Sequence, residues 1–333
     1  TTALVRGMPA SRYIAENVSS ENGETSAESV KKTKKQIETT SEEEKTKEKE
    51  TTKQKKKKAV VEASEFFSEP QIIGEEYSIK KLSDFDFLVN TFYTVSASTK
   101  VYKSDLNPKV LMKKDMRLKQ DNSKPQILIY HTHSQEEYAD SKKGDDTTTI
   151  VAVGTYLAKI LSEEYGYNVI HCTEHFDIAG GHLDRSKAYT YAQATLQQIL
   201  EDNPSIEVVL DIHRDGLPDG YDKLVTNIGG KDVAKIMLFN GISRSSASGD
   251  IGYLYNRYQT ENLAFSFKLK LKAMECYPEF TRRNYIDAYQ YNLHLRGKSM
   301  LVEVGAQNNT FEEAKNAMLP LSDILDKVLN SKN

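Results

Sequence analysis

The chain has 333 residues, an apolar share of 38% and a net charge of −3 at neutral pH, with a mean hydropathy of −0.60. That length suits one large domain or two small ones, and the charge balance demands no nucleic-acid partner. No stretch approaches the ~18–20 apolar residues of a membrane span, and two cysteines, Cys172 and Cys276, exclude a disulfide framework or a CxxC zinc site.

The two cysteines read as free buried thiols. The chain opens on Thr1, which reads as a fragment, so the want of a secretory leader weighs little against export. Residues 29–58, "SVKKTKKQIETTSEEEKTKEKETTKQKKKK", hold almost no apolar side chain. Such a segment cannot bury enough surface to offset its ordering entropy. Residues 1–70 are therefore expected to be a disordered Lys/Glu/Thr-rich tether. Its lysine blocks are suited to touching anionic polymer or lipid headgroups, though a solvated linker explains them as well.

Residues 71–124 change character. "DFDFLVNTFYTV" supplies apolar anchors, and "NPKVLMKKDMRLKQ" reads as a turn plus a short strand or helix. This span is expected to be an ordered lead-in packed on the main domain, which runs over 125–330. From Pro125 onward, strand-like and helix-like segments alternate. "ILIYH" is a strand and "TIVAVGTYLAKILSEEY" a helix. "GYNVIHC" is a strand, and "DRSKAYTYAQATLQQILED" a helix with Asp184 as N-cap. "IEVVLDIH" and "VAKIMLFNG" are strands. Leu263, Phe267, Leu271 and Met274 recur at helical spacing within 254–277. "SMLVEVG" is the last core strand. A closing helix would be capped by Asn309 or Thr310, with Glu312 and Glu313 in its first turn, and kinked or split by Pro320. The alternation predicts an α/β fold with a largely parallel or mixed central sheet flanked by helices.

Three strands end in ionisable groups. After "ILIY" come His131, His133, Ser134, Glu136 and Glu137; on a continuing strand His131 and His133 would face the same side. "VVLDIHRDG" delivers His213, Arg214 and Asp215. "LVEVGAQNN" places Glu303 between two valines, where a carboxylate is costly without a partner or a task. Ligands gather at the carboxyl ends of strands in open α/β sheets. A zinc hydrolase needs this set: about three N/O ligands, an open position and a carboxylate beside it.

The pattern H-T-H-S-x-E, D-I-H-R-D-G and L-V-E-V-G-x-x-N-N resembles the stage II sporulation protein P family of endospore-forming bacteria, over about residues 76–330. That family is similar to the zinc-dependent N-acetylmuramoyl-L-alanine amidases, whose second histidine and catalytic glutamate segments match "LDIH" and "LVEVGAQNN". The wider amidases take a glutamate ligand from the helix after their first strand; here that helix offers none before Glu163. The resemblance thus implies a zinc site of His133, Glu136 and His213, with His131 either a fourth ligand or a donor behind the ligands. It implies Glu303 as general base and Arg214 as an oxyanion helper. It further implies cleavage of the muramoyl–L-alanine amide of peptidoglycan, with a described endopeptidase activity on peptide cross-links. The expected setting is forespore engulfment, outside the cytoplasm at the mother cell–forespore septum. A membrane anchor absent from this chain and the stage II sporulation proteins D and M complete it.

Other readings stay open. A catalytically inactive peptidoglycan-binding scaffold of the same fold is the main one. A polyanion-binding protein led by the lysine blocks is another. His171 and His175 would not share a helical face, because "NVIHC" reads as a strand. His182 and Arg185 could line a substrate groove or form a capping turn; His294 reads as ordinary. Arg214 and Asp215 could pair to orient His213. Ser134 beside His133 suggests a serine hydrolase, but no G-x-S-x-G elbow accompanies it.

Overall fold

A computed structural model describes residues 72–330; the expected tether and its lysine blocks lie outside the described residues. Seven strands form the central sheet: β1 (Tyr93–Val95), β2 (Ile127–Tyr130), β3 (Val169–His171), β4 (Val208–Asp215), β5 (Ile236–Gly241), β6 (Asn284–Asp287) and β7 (Ser299–Ala306). Their order across the sheet is β1-β6-β5-β7-β4-β2-β3. Every neighbouring pair is parallel except β5 with β7, which is antiparallel. The sheet is mixed, as the alternation of segments predicts.

The main helices are α1 (Phe85–Phe92), α2 (Pro108–Lys113), α3 (Ile150–Glu163), α4 (Ala188–Asp202), α5 (Gln259–Cys276), α6 (Phe311–Asn316) and α7 (Met318–Leu329). Local chemistry starts several of them. The Asp84 carboxylate accepts from Phe87 N–H at the head of α1. Asn107 accepts from Lys109 N–H ahead of Pro108, which opens α2 with φ already helical. Thr310 caps α6 in a reciprocal box with Glu313. One expectation changes here, the N-cap at Asp184, and one is met, the split of the closing helix. Helix α4 begins after Lys187, and Asp184 instead accepts from Ser186 N–H and Oγ–H in the preceding turn. The last helical stretch splits at Ala317, three residues before Pro320. Proline lacks the N–H that would bond Asn316, and its ring crowds that carbonyl, so the break falls one turn upstream.

The sheet divides two cores. Ile127, Ile129, Leu210 and Ile212 pack with Val153, Leu157 and Leu161 of α3, together with α5 and α7. Leu128, Tyr130 and Val209 pack on the other face against Ala188, Ala192, Leu196 and Leu200 of α4. The crossovers β2–α3–β3 and β3–α4–β4 therefore lie on opposite faces. Between β2 and β4 the chain direction of winding reverses, which opens a crevice at the carboxyl ends of these strands. Both cysteines are free and buried. Among the described residues no helix is long and apolar enough to cross a membrane.

Candidate active site

The three strands singled out by sequence are neighbours, in the order β7, β4, β2. Glu303 of β7 is the ladder partner of His213 on β4. Both point to the α4 face, because each lies at even spacing from a residue that does: Asp211 precedes His213 by two, and Leu301 precedes Glu303 by two. Beyond Glu303 the β7–β4 register slips. Gly305, at φ +61, sits at that irregularity, and a Cβ there would press on Asn309 Oδ1 at 2.7 Å. Asn309 Oδ1 accepts from Ala306 N–H at 2.9 Å. The glycine and the last asparagine of "VEVGAQNN" thus build the turn that holds Glu303 in place.

Strand β2 ends at Tyr130, and residues 132–135 form a turn. The turn overturns the expectation that His131 and His133 face one side. His131 turns toward α3, where Gly154 leaves room for its ring. Its Nδ1 lies 2.8 Å from Ile212 O and its Nε2 2.9 Å from His171 Nε2. A carbonyl only accepts, so Nδ1 carries the proton, and Nε2 accepts from His171. Both nitrogens are engaged, and as placed His131 has no lone pair to offer a metal. Burial, with His171 adding to it, pulls the His131 pKa down to about 3.

His133 turns to the α4 face. Its ring meets Tyr189 edge-on at 5.6 Å and His213 at 5.2 Å between centroids. Burial, with His213 and Arg185 nearby, drives its pKa well below the ordinary value, so the imidazole is neutral. Glu136 comes to the same place: its Oε2 accepts from Arg214 N–H at 2.8 Å and stands 3.6 Å from His213 Nδ1. The other nitrogen of His213, Nε2, lies 2.8 Å from Asp211 Oδ1. Burial works against a proton on His213, but Asp211, Glu136 and Glu303 outweigh it and raise the pKa to about 9. Burial, then Asp215, pushes the Glu303 carboxyl well above the usual range, against weaker pulls from His213 and Arg282.

His133, Glu136, His213 and Glu303 are thus brought together, and His131 is set apart. Three buried polar atoms in this group, His133 Nδ1, His213 Nε2 and Glu303 Oε2, have no hydrogen-bond partner, His213 Nε2 meeting Asp211 as an ion pair only. Two imidazoles with a carboxylate form a donor set suited to zinc in kind. Among the described residues, however, no three His, Cys, Asp or Glu side chains are arranged to hold a metal ion as they stand.

Arg214 departs from its expected position. Its Nε donates to Glu137 O and its Nη1 to Asp215 O, so its guanidinium braces backbone. Asp215 pairs with Arg282, and the carboxylate beside His213 is Asp211. Ser134 donates to Asp177 at 2.7 Å, which removes it as a nucleophile beside His133. His175 faces Asp146 at the surface, and His182 lies exposed in the Ile178–Ala179/His182–Leu183 hairpin.

The sequence profile of the stage II sporulation protein P family matches residues 4–326. The chain belongs to that family. Stage II sporulation protein P of Bacillus subtilis (strain 168) is 23% identical over 229 residues, covering 65% of this chain and 54% of that protein. The chain thus spans about half the length of that relative. Among solved structures it is similar to the N-acetylmuramoyl-L-alanine amidase AmiC2 of Nostoc punctiforme (14% identity, 63% of this chain and 100% of that one, TM-score 0.40). The catalytic domain of CwlV, an N-acetylmuramoyl-L-alanine amidase from Bacillus (Paenibacillus) polymyxa var. colistinus, is similar at 14% identity, 62% and 99% coverage and TM-score 0.40.

Sequence reasoning about this family's motifs passed over Asp211. It is fully buried, accepts from Thr132 N–H at 2.9 Å and Thr132 Oγ1–H at 2.6 Å, and abuts His213. One carboxylate therefore ties the turn carrying His133 to the strand carrying His213. The signal was present in "VVLDIH": an acid inside an apolar run, two residues from the histidine and so on its face. Like Glu303, it is a carboxylate that is costly in an apolar strand without a partner or a task.

Proposed function

We propose that the chain is a peptidoglycan hydrolase that cleaves the amide between the muramoyl lactyl group and L-alanine. The observation that carries this reading is the pairing of Glu303 with His213 across β7 and β4, with the Glu303 Oε2 atom buried and unpartnered. Family membership supports the class of substrate. Zinc would be held by His133, Glu136 and His213, and when bound it would lower the pKa of a water to roughly 7 and polarise the amide carbonyl.

The chain's own residues then have distinct tasks. Glu303 Oε2 takes the proton of the attacking water and returns it to the leaving amide nitrogen. The positive charge of a bound zinc would favour its carboxylate at the start, and its burial strengthens its hold on the proton once taken. Asp211 fixes the ring of His213 and the turn at Thr132. Arg214 presents its backbone N–H to Glu136 and braces the loop, a positioning role in place of the expected oxyanion contact.

The proposed setting is sporulation, at the engulfing septum outside the cytoplasm, tethered to the membrane and working with stage II sporulation proteins D and M. Family membership alone supports this. Cleavage of peptide cross-links remains a second proposed activity of the same site. A peptidoglycan-binding scaffold without turnover is the competing reading. It gains from the incomplete closure of the three donor side chains and loses from the retained Glu303.

Digestion of purified peptidoglycan sacculi separates these readings. The full chain should release peptides with new N-terminal alanine, detected by mass spectrometry. Chelation should stop release and added zinc restore it. Release through other bonds alone, or release by a Glu303→Gln chain at the parental rate, would reject the amidase mechanism. Binding to sacculi with no release would select the scaffold.

A further inference from the structure

Arg185, from the turn that leads into α4, faces this site. Its Nη1 is 3.8 Å from Glu136 Oε1 and its Nε 3.9 Å from Asp177 Oδ2. Both separations exceed a hydrogen bond. Nε is buried and has no hydrogen-bond partner. The flanking carboxylates have other donors: Glu136 takes Arg214 N–H, and Asp177 takes Ser134 Oγ–H and Gln135 N–H. The guanidinium is drawn there by charge and packing without hydrogen bonds to those carboxylates. Its side chain is 17% exposed, against 4% for Glu136 and 2% for His213, so it forms the solvent side of the cluster. A planar fork of donors in that position fits a bidentate anion.

Glu136 sets the spacing. One of its oxygens lies 3.8 Å from Arg185 and the other 3.6 Å from His213. The guanidinium and the imidazole beside Glu303 therefore flank the same carboxylate. An extended peptide advances about 3.3–3.6 Å per residue. In a stem peptide, the residue after the L-alanine is a glutamyl unit linked through its γ-carboxyl, which leaves its α-carboxylate free. That carboxylate follows the scissile amide by less than two residues, about 7 Å of extended chain at most, which suits a guanidinium on the far side of Glu136 from His213.

Resting on the hydrolase reading, we infer that Arg185 is a specificity residue that binds the free α-carboxylate of the glutamyl unit next to the scissile alanine. The inference assigns Arg185 to substrate recognition and leaves proton transfer to Glu303. A guanidinium that served only charge developing at the reacting carbon would favour turnover of carboxylate and amide substrates equally.

The test uses two soluble muropeptides that differ only at this group, one with the free carboxylate and one with its amide. Each is titrated calorimetrically into the full chain carrying Glu303→Gln, and again with Arg185→Gln or Arg185→Lys added. The Glu303→Gln chain should prefer the carboxylate form by about 10–100-fold, the range for hydrogen bonds to a charged group. Adding Arg185→Gln should cut that preference to about twofold or less, with the loss confined to the carboxylate form. Arg185→Lys keeps the charge without the fork and should fall between. An undiminished preference in Arg185→Gln, equal weakening of both forms, or no preference in the starting chain would overturn the inference. Hydrolysis of the same two muropeptides by the unsubstituted chain reports separately on the hydrolase reading. Cleavage of both without preference leaves that reading standing and rejects the role of Arg185. Preference in binding with no cleavage does the reverse.

Discussion

Glu303 lies between two buried valines, and its carboxyl is held well above the ordinary range. As pH rises past the ordinary carboxylate range the unfolded chain gives up this proton more readily than the folded chain, so the residue costs more stability at higher pH. Glu303→Gln should therefore reduce amide release by about 10²–10⁴-fold while raising stability at pH 7 more than at pH 4.5, measured by urea unfolding. His131 acts in the opposite sense. Its folded pKa of about 3 lies below the ordinary 6.5, so the unfolded chain takes the proton first. Its contribution is intact above about pH 7 and lost as pH falls through 6.5 toward 3. Between pH 4 and 6, His131→Asn should reduce the slope of stability against pH by up to about 1.4 kcal/mol per unit. An unchanged slope would mean that His131 carries a proton in the fold. Gly154 explains how that ring fits: a Cβ there would come 2.5 Å from the His131 ring, inside a helix. Gly154→Ala should destabilise by about 1–3 kcal/mol, overriding the gain of up to about 1 kcal/mol in helix propensity.

At the scale of elements, the caps and the crossovers set the site. Thr310 and Glu313 close the start of α6, just beyond the turn that holds Glu303. Thr310→Ala should cost about 0.5–2 kcal/mol, read as a lower thermal midpoint. Long periodic or apolar segments were legible from sequence, because "ILIY", "VVLDIH" and "SMLVEV" fill buried strands. The short edge strand β1 and the strand β6, "NYID", carry too few residues and too mixed a pattern to be read that way. Their identity as strands depends on neighbours far away in sequence. The same limit applies to His131 and His133. Alternation holds only while the strand continues, and a turn starting after Tyr130 sends them to opposite faces. Arg185 was legible only as a residue near a groove. Its closeness to Glu136 depends on a hairpin and a buried Asp177 whose partners lie some forty residues away.

At the scale of the whole molecule, the sheet gathers its chemistry at one edge. Crossovers on opposite faces open the crevice between β2 and β4, and β7 adds Glu303 beside it. Carboxylates outnumber the buried imidazoles there, and the proton on His213 marks a position that favours positive charge. The proposed zinc site joins His133, Glu136 and His213 around one ion beside Glu303. Zinc binding to the full chain by equilibrium dialysis, with metal counted by mass spectrometry, tests it most directly. One zinc per chain is expected, retained in His131→Asn and Glu303→Gln, and lost in His133→Ala and His213→Ala. Zinc retained at full stoichiometry after both of those last substitutions would contradict it.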